Sequence, residues 1–466
     1  MTASAPASAA TPGDACAPLT RRAAAAVRRH AATLAVLATL AWWSTRFVEG
    51  TGGREPRVLS TGLAFLLVAT LLVRPWRRLP VPALLLGSGL GLAAVVVVLT
   101  APTGLAGRHE AASYVFAGQL GVVLLAWATD HVRRTLLLLT LLAAGGLQFA
   151  HGWLPWWGLQ DQGRLFQGTF YWHNQAGIFL AAGALVGYVV VMANRRPLVP
   201  LAWIVAPLCT AGVVYTTSRG SQLGLALGLV LLAAVAVAVP QRRRTAPRLV
   251  LAVGLGWAAT TLMTRPPFFR EEASAFAATA ARSESFTSNG VQRFEDWRRA
   301  VAIFTEWPFT GAGFYSFDSA TLQVTEKRDG VTTAFAHNGF LQAAADGGLV
   351  LLVPLCLAVA AVLLLGLRAR AASVRAGDVV QPGAWVVFLV LVLHSGMDFD
   401  WTYPALLSLP ALLVPLVLPR GDAPTASVAT RARSRLLLGL VSVALLVLAA
   451  VGAWDGGLSL NVELPA

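Results

Sequence analysis

Arg293-Phe294-Glu295-Asp296-Trp297, followed by Trp307-Pro308-Phe309-Thr310-Gly311-Ala312-Gly313 and closed by Ala336-His337-Asn338-Gly339-Phe340, marks the polar interval from Thr264 to His337. Hydrophobic segments bracket this interval on both sides. It is therefore the place to look for chemistry in a chain that otherwise reads as a membrane scaffold.

Working outward, only 12% of the 466 residues are charged and 56% are hydrophobic, with a mean hydropathy of +0.65. A soluble domain carries about 25% charged residues, so the deficit points to the membrane class. The net charge is +14, and every basic residue except Lys327 is arginine. The arginines fall in short clusters between apolar runs, a pattern of membrane orientation signals, and nucleic acid is not an expected partner. Cys16, Cys209 and Cys356 lie far apart and have no metal-ligand or disulfide spacing; they read as small apolar residues.

A membrane helix needs about 20 mainly apolar residues. That length gives twelve to thirteen spans, near 31–47, 57–74, 80–100, 111–129, 134–151, 173–193, 198–215, 220–240, 247–263, 346–367, 383–397, 403–419 and 434–454. The expected fold is all-α: a polytopic bundle with one large, partly helical extracytoplasmic loop. Residues 1–30 are expected to be a disordered cytoplasmic tail and 31–263 to hold nine spans. The loop is then 264–345, four more spans occupy 346–454, and 455–466 forms an outer tail. With the N-terminus inside, 22 basic residues lie in cytoplasmic segments and 6 in short outer loops. Long loops are exempt from this rule, so the bias itself places 264–345 outside.

Four signals converge on that outer side. Thr216-Thr217-Ser218-Arg219-Gly220-Ser221 opens a helix with Ser218 as a plausible cap, so Arg219 beside exposed N–H groups either binds an anion or snorkels to the interface. After Gly290 the spacing predicts an amphipathic helix with Trp297, Val301 and Phe304 in one stripe. Arg293 lies on its apolar side, where it either pairs with Glu295 or Asp296 or meets an anionic ligand. His337-Asn338 precedes the next span, and a histidine there is either a surface residue or a proton acceptor for a hydroxyl nucleophile. His173-Asn174 opens the sixth span, while His394, Asp398 and Asp400 end the eleventh; polar groups at that depth line a cavity or pair with one another. The aromatics Trp153, Trp156, Trp157, Phe166, Phe170, Tyr171 and Trp172 suit interfacial anchoring.

No Walker A, HExxH or GxSxG motif occurs, and neither a metal nor a cofactor is expected. No nucleotide is available outside the cytoplasm, so the substrate must arrive already activated.

Ser218-Arg219-Gly220 at a helix start, Arg293 with Trp297, then Pro308, Gly311, Gly313 and Phe314, and His337-Asn338-Gly339-Phe340-Leu341 with Asp346-Gly347 resemble the O-antigen ligase family. The resemblance covers roughly residues 170–400. Asp346 stands where glutamate is expected, and His173 where proline is common before Asn174. The resemblance implies a GT-C-like glycosyltransferase of cell-surface polysaccharide assembly. Its members transfer a glycan from an undecaprenyl-pyrophosphate carrier to a hydroxyl acceptor at the outer face of the bacterial inner membrane, inverting the anomeric centre without a metal. It implies that Arg219 and Arg293 hold the pyrophosphate and that His337 activates the acceptor. Asn174, Asn338, Trp297 and Ser218 complete the candidate substrate-binding set. Polymerase activity within the same family and O-linked protein glycosylation remain open. A flippase or transporter is the alternative from another class, and it predicts charges near the middle of several helices.

Overall fold

The computed structural model describes residues 13–47, 56–158, 166–263, 286–324, 334–418 and 428–453. Residues 455–466, expected to form an outer tail, and the parts 264–285 and 325–333 of the long interval lie outside the described residues. The described elements are helical, with no strand among them. In order they are α1 (Gly13–Trp42), α2 (Pro56–Val73), α3 (Pro75–Arg78), α4 (Val81–Thr100), α5 (Arg108–Trp127), α6 (His131–Gly158), α7 (His173–Ala193) and α8 (Val199–Tyr215). There follow α9 (Arg219–Ala238), α10 (Arg242–Met263), α11 (Phe286–Glu306), α12 (Phe317–Val324), α13 (Gly339–Arg375), α14 (Val380–Ser395), α15 (Pro404–Val417) and α16 (Val428–Ala453).

Every apolar segment picked out by hydropathy folds as helix. Among the described residues, eight helices are long and apolar enough to cross a membrane, fewer than the twelve to thirteen spans expected. Part of the shortfall is a matter of length. The apolar helices α8, α14 and α15 have 17, 16 and 14 residues. At ~1.5 Å per residue these reach roughly 21–26 Å, short of the ~30 Å hydrocarbon core. A second correction concerns the N-terminus. Helix α1 begins at Gly13, inside the stretch expected to be disordered, because the run Ala23–Ala26 has the highest helix propensity of any residue type.

The core is built around α7, which is buried almost without interruption from Gln175 to Met192. A helix apolar on all sides belongs in a bundle centre, and α6, α8, α9 and α14 surround this one. Small residues let the helices close up. A Cβ on Gly118 of α5 would sit 2.3 Å from the Gly87 carbonyl oxygen of α4, so these two backbones touch. Ser88 pairs across helices with Ser442 and Gln119, tying α4 to α16 and α5.

The aromatic run before α7 divides. Phe166 and Phe170 are core residues, packed on Phe149 and Tyr215 and on Phe179 and Tyr403 respectively, and are not interfacial anchors. Tyr171 and Trp172 remain exposed.

The polar interval folds onto the bundle through α13. Helix α11 buries Asp296, Ala300 and Ile303, whereas Val301 is exposed and Trp297 and Phe304 are half-buried. Its inner face is therefore rotated by one residue, about 100°, from the expected Trp297–Val301–Phe304 stripe. Asp296 tolerates this burial because Arg299 pairs with it at 3.0 Å and Gln292 donates to it at 3.2 Å. After Glu306 the Trp307–Gly313 run turns the chain, as its proline and glycines predict. It also does something the sequence did not announce: it docks into a break in α13. Gly348 adopts φ 54°, ψ −152°, and the broken ladder is filled from outside. Ala312 N donates to Ala345 O and Gly313 N to Asp346 O, both at 2.9 Å; Leu349 N and Val350 N donate to Pro308 O and Phe309 O at 2.8 and 3.0 Å. Gly311 (φ 65°) has no room for a side chain, since a Cβ would lie 2.4 Å from the Asp346 carbonyl carbon.

Candidate active site

The heads of α7, α9 and α13 and the tail of α14 meet at one end of the bundle. Two caps set their geometry. Ser218 Oγ accepts from Ser221 N at 3.4 Å at the start of α9. At the start of α13, Asn338 Oδ1 accepts from Phe340 N and Leu341 N at 3.0 and 3.1 Å, while its amide group donates to Gly396 O at 2.8 Å. Ser218 and Asn338, expected among the substrate-binding residues, are therefore occupied in holding helix ends. Ser218 is also buried, at 2% exposure.

Asp398, in the turn after α14, is the centre of the arrangement. Its Oδ1 lies 3.3 Å from His337 Nδ1 and accepts from Phe399 N at 2.9 Å. Its Oδ2 accepts from Asn174 Nδ2 at 2.8 Å and lies 3.5 Å from Arg293 Nη2. Arg293 also donates through Nη1 to the Met397 carbonyl. Burial alone would raise the Asp398 carboxyl. The hydrogen bond from His337 and the nearby His394, His337 and Arg293 side chains outweigh burial and hold it well below the usual carboxylate range. Asp398 is thus an anion whose side chain is 3% exposed, while its partners Arg293 and His337 are 35% and 29% exposed. The local partners considered for Arg293 do not take it: Glu295 pairs with Arg298 and Asp296 with Arg299.

His337 is held from three sides. Its ring stands edge-on to Phe399 at 4.8 Å, its carbonyl accepts from Trp297 Nε1 at 3.4 Å, and its backbone sits in the left-handed region at φ 48°. A non-glycine residue kept there costs about 1–3 kcal/mol and needs surroundings that over-determine it. With Nδ1 against a carboxylate, the favoured tautomer leaves Nε2 without a proton and able to accept one.

Arg219 is the first residue of α9 and is half-buried. The backbone beside it is in close contact with the site, because a Cβ on Gly220 would lie 3.1 Å from His394 Nε2. The structure therefore brings Arg293, His337 and Asn174 onto one carboxylate. Arg219 enters at the head of α9, two residues before Ser221, whose hydroxyl donates to the Asn174 carbonyl at 3.1 Å.

Sequence reasoning noted Asp398 among paired polar groups but did not see it as the hub, because its partners lie 61, 105 and 224 residues away in the chain. The other two members of that group, His394 and Asp400, pair with each other at 2.7 Å. Among the described residues, no group of three or more His, Cys, Asp or Glu side chains is placed to hold a metal ion.

A family model described as O-antigen ligase matches residues 204–356, about a third of the chain, which includes Arg219, Arg293 and His337. No curated protein matches the chain. Residues 204–356 of this chain, which carries eight helices long and apolar enough to cross a membrane among its described residues, are thus similar to the O-antigen ligase family.

Proposed function

We propose that this protein is a membrane glycosyltransferase of cell-surface polysaccharide assembly. It moves a glycan from an undecaprenyl-pyrophosphate carrier to a hydroxyl acceptor at the outer face of a bacterial inner membrane. The observation that carries this reading is the shared carboxylate: Asp398 orients His337 and anchors Arg293 within one partly open cluster. His337 Nε2 takes the proton from the acceptor hydroxyl as its oxygen attacks the anomeric carbon. Asp398 steadies the imidazolium that forms, the role a buried carboxylate plays beside a catalytic histidine. Arg293 and Arg219 neutralise the pyrophosphate as charge develops on the leaving oxygen. Attack opposite the leaving group inverts the anomeric centre, and no residue in this scheme requires a metal.

The proposed sidedness draws support from the helix order. The arginine clusters at 133/134, 195/196, 243–248 and 368–375 flank the ends of α5, α7, α9 and α13 that lie away from the site. Positive residues gather on the cytoplasmic side, which leaves the site outside.

The test is glycan transfer by the purified full chain with a lipid-pyrophosphate-linked donor. Arg219→Ala, Arg293→Ala and His337→Ala should each insert into membranes normally and lose transfer. Full activity in all three variants would falsify the assignment. Products in a deletion strain then separate the family's two reactions: shortened chains indicate a polymerase, and accumulated carrier-linked polymer indicates a ligase. Carrier-linked sugar building up on the inner leaflet would point instead to a flippase.

A further inference from the structure

Next to the Asp398 cluster lies a second polar array that the scheme above does not use. Asp400 Oδ2 lies 2.7 Å from His394 Nδ1 and accepts from Ser395 Oγ at 3.1 Å, while Gln175 Nε2 donates to Asp400 Oδ1 at 3.4 Å. On the other side of the ring, His394 Nε2 lies 3.3 Å from Ser221 Oγ. That hydroxyl is also 2.9 Å from Ser218 Oγ and donates to the Asn174 carbonyl. His394 and Asp400 are each 2% exposed and Ser221 is 0% exposed.

Carboxylate, imidazole and hydroxyl in this order have the outline of a nucleophilic triad. Ser221 is not a nucleophile, however: no solvent or substrate reaches it, and the Asn174 carbonyl engages its proton. The output of the array is mechanical. Ser221 is the third residue of α9, which Arg219 opens, and Asn174 is the second residue of α7 and donates to Asp398. His394, near the end of α14, sits where the two helix heads meet, with its ring against the backbone of Gly220, the residue that follows Arg219. Burying an imidazole and a carboxylate is costly unless both are hydrogen-bonded, and here His394 has a partner at each ring nitrogen and Asp400 at each oxygen, which favours one geometry.

We propose that His394, held by Asp400, is a positioning residue. It registers the head of α9 against the head of α7, so that Arg219 and, through Asn174, Asp398 face one substrate. This rests on the reading that Arg219 and His337 serve a single transfer site.

Two near-isosteres separate positioning from simple satisfaction of a buried acid. An asparagine at 394 places its amide near the Nδ1 position, keeping Asp400 and losing Ser221. A glutamine reaches the Nε2 position and keeps Ser221. In the full-length protein in nanodiscs, His394→Gln should hold the donor KM within about threefold of the parent, while His394→Asn and His394→Leu raise it by about tenfold or more, with a smaller change in kcat. The reverse order, Asn tolerated and Gln not, overturns the proposal, and so does a parental KM in all three. Hydrogen–deuterium exchange without substrate gives a readout independent of transfer. Faster exchange at the heads of α7 and α9 in the Asn and Leu variants, but not in Gln, supports positioning, and unchanged exchange in Asn and Leu overturns it. An inactive parent protein with this exchange pattern would refute the proposed reaction and leave the positioning role standing.

Discussion

Replacing Asp398 with asparagine is the sharpest test of the site. The side chain keeps its size, but one of two accepting oxygens becomes a donor. In the present arrangement both oxygens accept, Oδ1 from the His337 side and Phe399 N, Oδ2 from Asn174 and facing Arg293. An amide nitrogen at either place meets a donor head-on, so His337 or Arg293 is released. Loss of an oriented general base costs about 10²–10⁴-fold in rate, ~3–5 kcal/mol in activation free energy. The stability loss is smaller. Arg293 and His337 are partly exposed and screened, so about 1–3 kcal/mol covers the broken buried hydrogen bonds. The same substitution carries a pH signature. The folded-state carboxyl titrates below its unfolded value of about 3.9. Its stabilising contribution is therefore full above that pH and is lost as pH falls toward the folded value. Asp398→Asn should flatten the acid side of the stability profile while leaving the protein folded at neutral pH. Single-turnover transfer at pH 7 and thermal unfolding in detergent from pH 7 to 3 measure both effects. A variant that transfers glycan at the parental rate refutes the role given to Asp398.

Arg293→Lys keeps the charge but has a single point donor where the guanidinium reaches both the Met397 carbonyl and Asp398; transfer should fall at least about tenfold, and parental kcat/KM would count against a two-pronged role. Gly311→Ala forces a Cβ into the Asp346 backbone at a left-handed position and should cost about 2 kcal/mol or more, read as a lower unfolding temperature. Asn338→Ala removes the α13 cap and should cost about 1 kcal/mol in thermal stability, with a larger loss of activity because His337 is its neighbour.

Hydropathy alone located every long apolar helix of the bundle, because burial in lipid or in a protein core selects the same apolar runs. Twelve to thirteen spans were expected where eight described helices are long and apolar enough, because length is decided by where a helix stops, as the 14-residue α15 shows. Arg219, Arg293 and His337 were legible as candidates because a polar group beside a membrane helix is conspicuous. Their mutual placement was not. Local spacing suggested Glu295 or Asp296 for Arg293, yet these are taken by the arginines three residues on, and the partner is Asp398. The stripe on α11 failed for the same reason: apolar periodicity favoured Val301, but docking against the broken α13 buried Ala300 and Ile303 instead.

The stretch from Arg293 to Phe340, taken by itself, determined a helix, a proline–glycine turn and a capped helix start, because these depend on backbone preferences within a few residues. Only the tertiary structure decided that the turn fills the gap at Gly348 and that Asp398 gathers Arg293, His337 and Asn174. Such pairings depend on which donors reach one buried carboxylate after the helices have packed, and no local pattern in the chain records that.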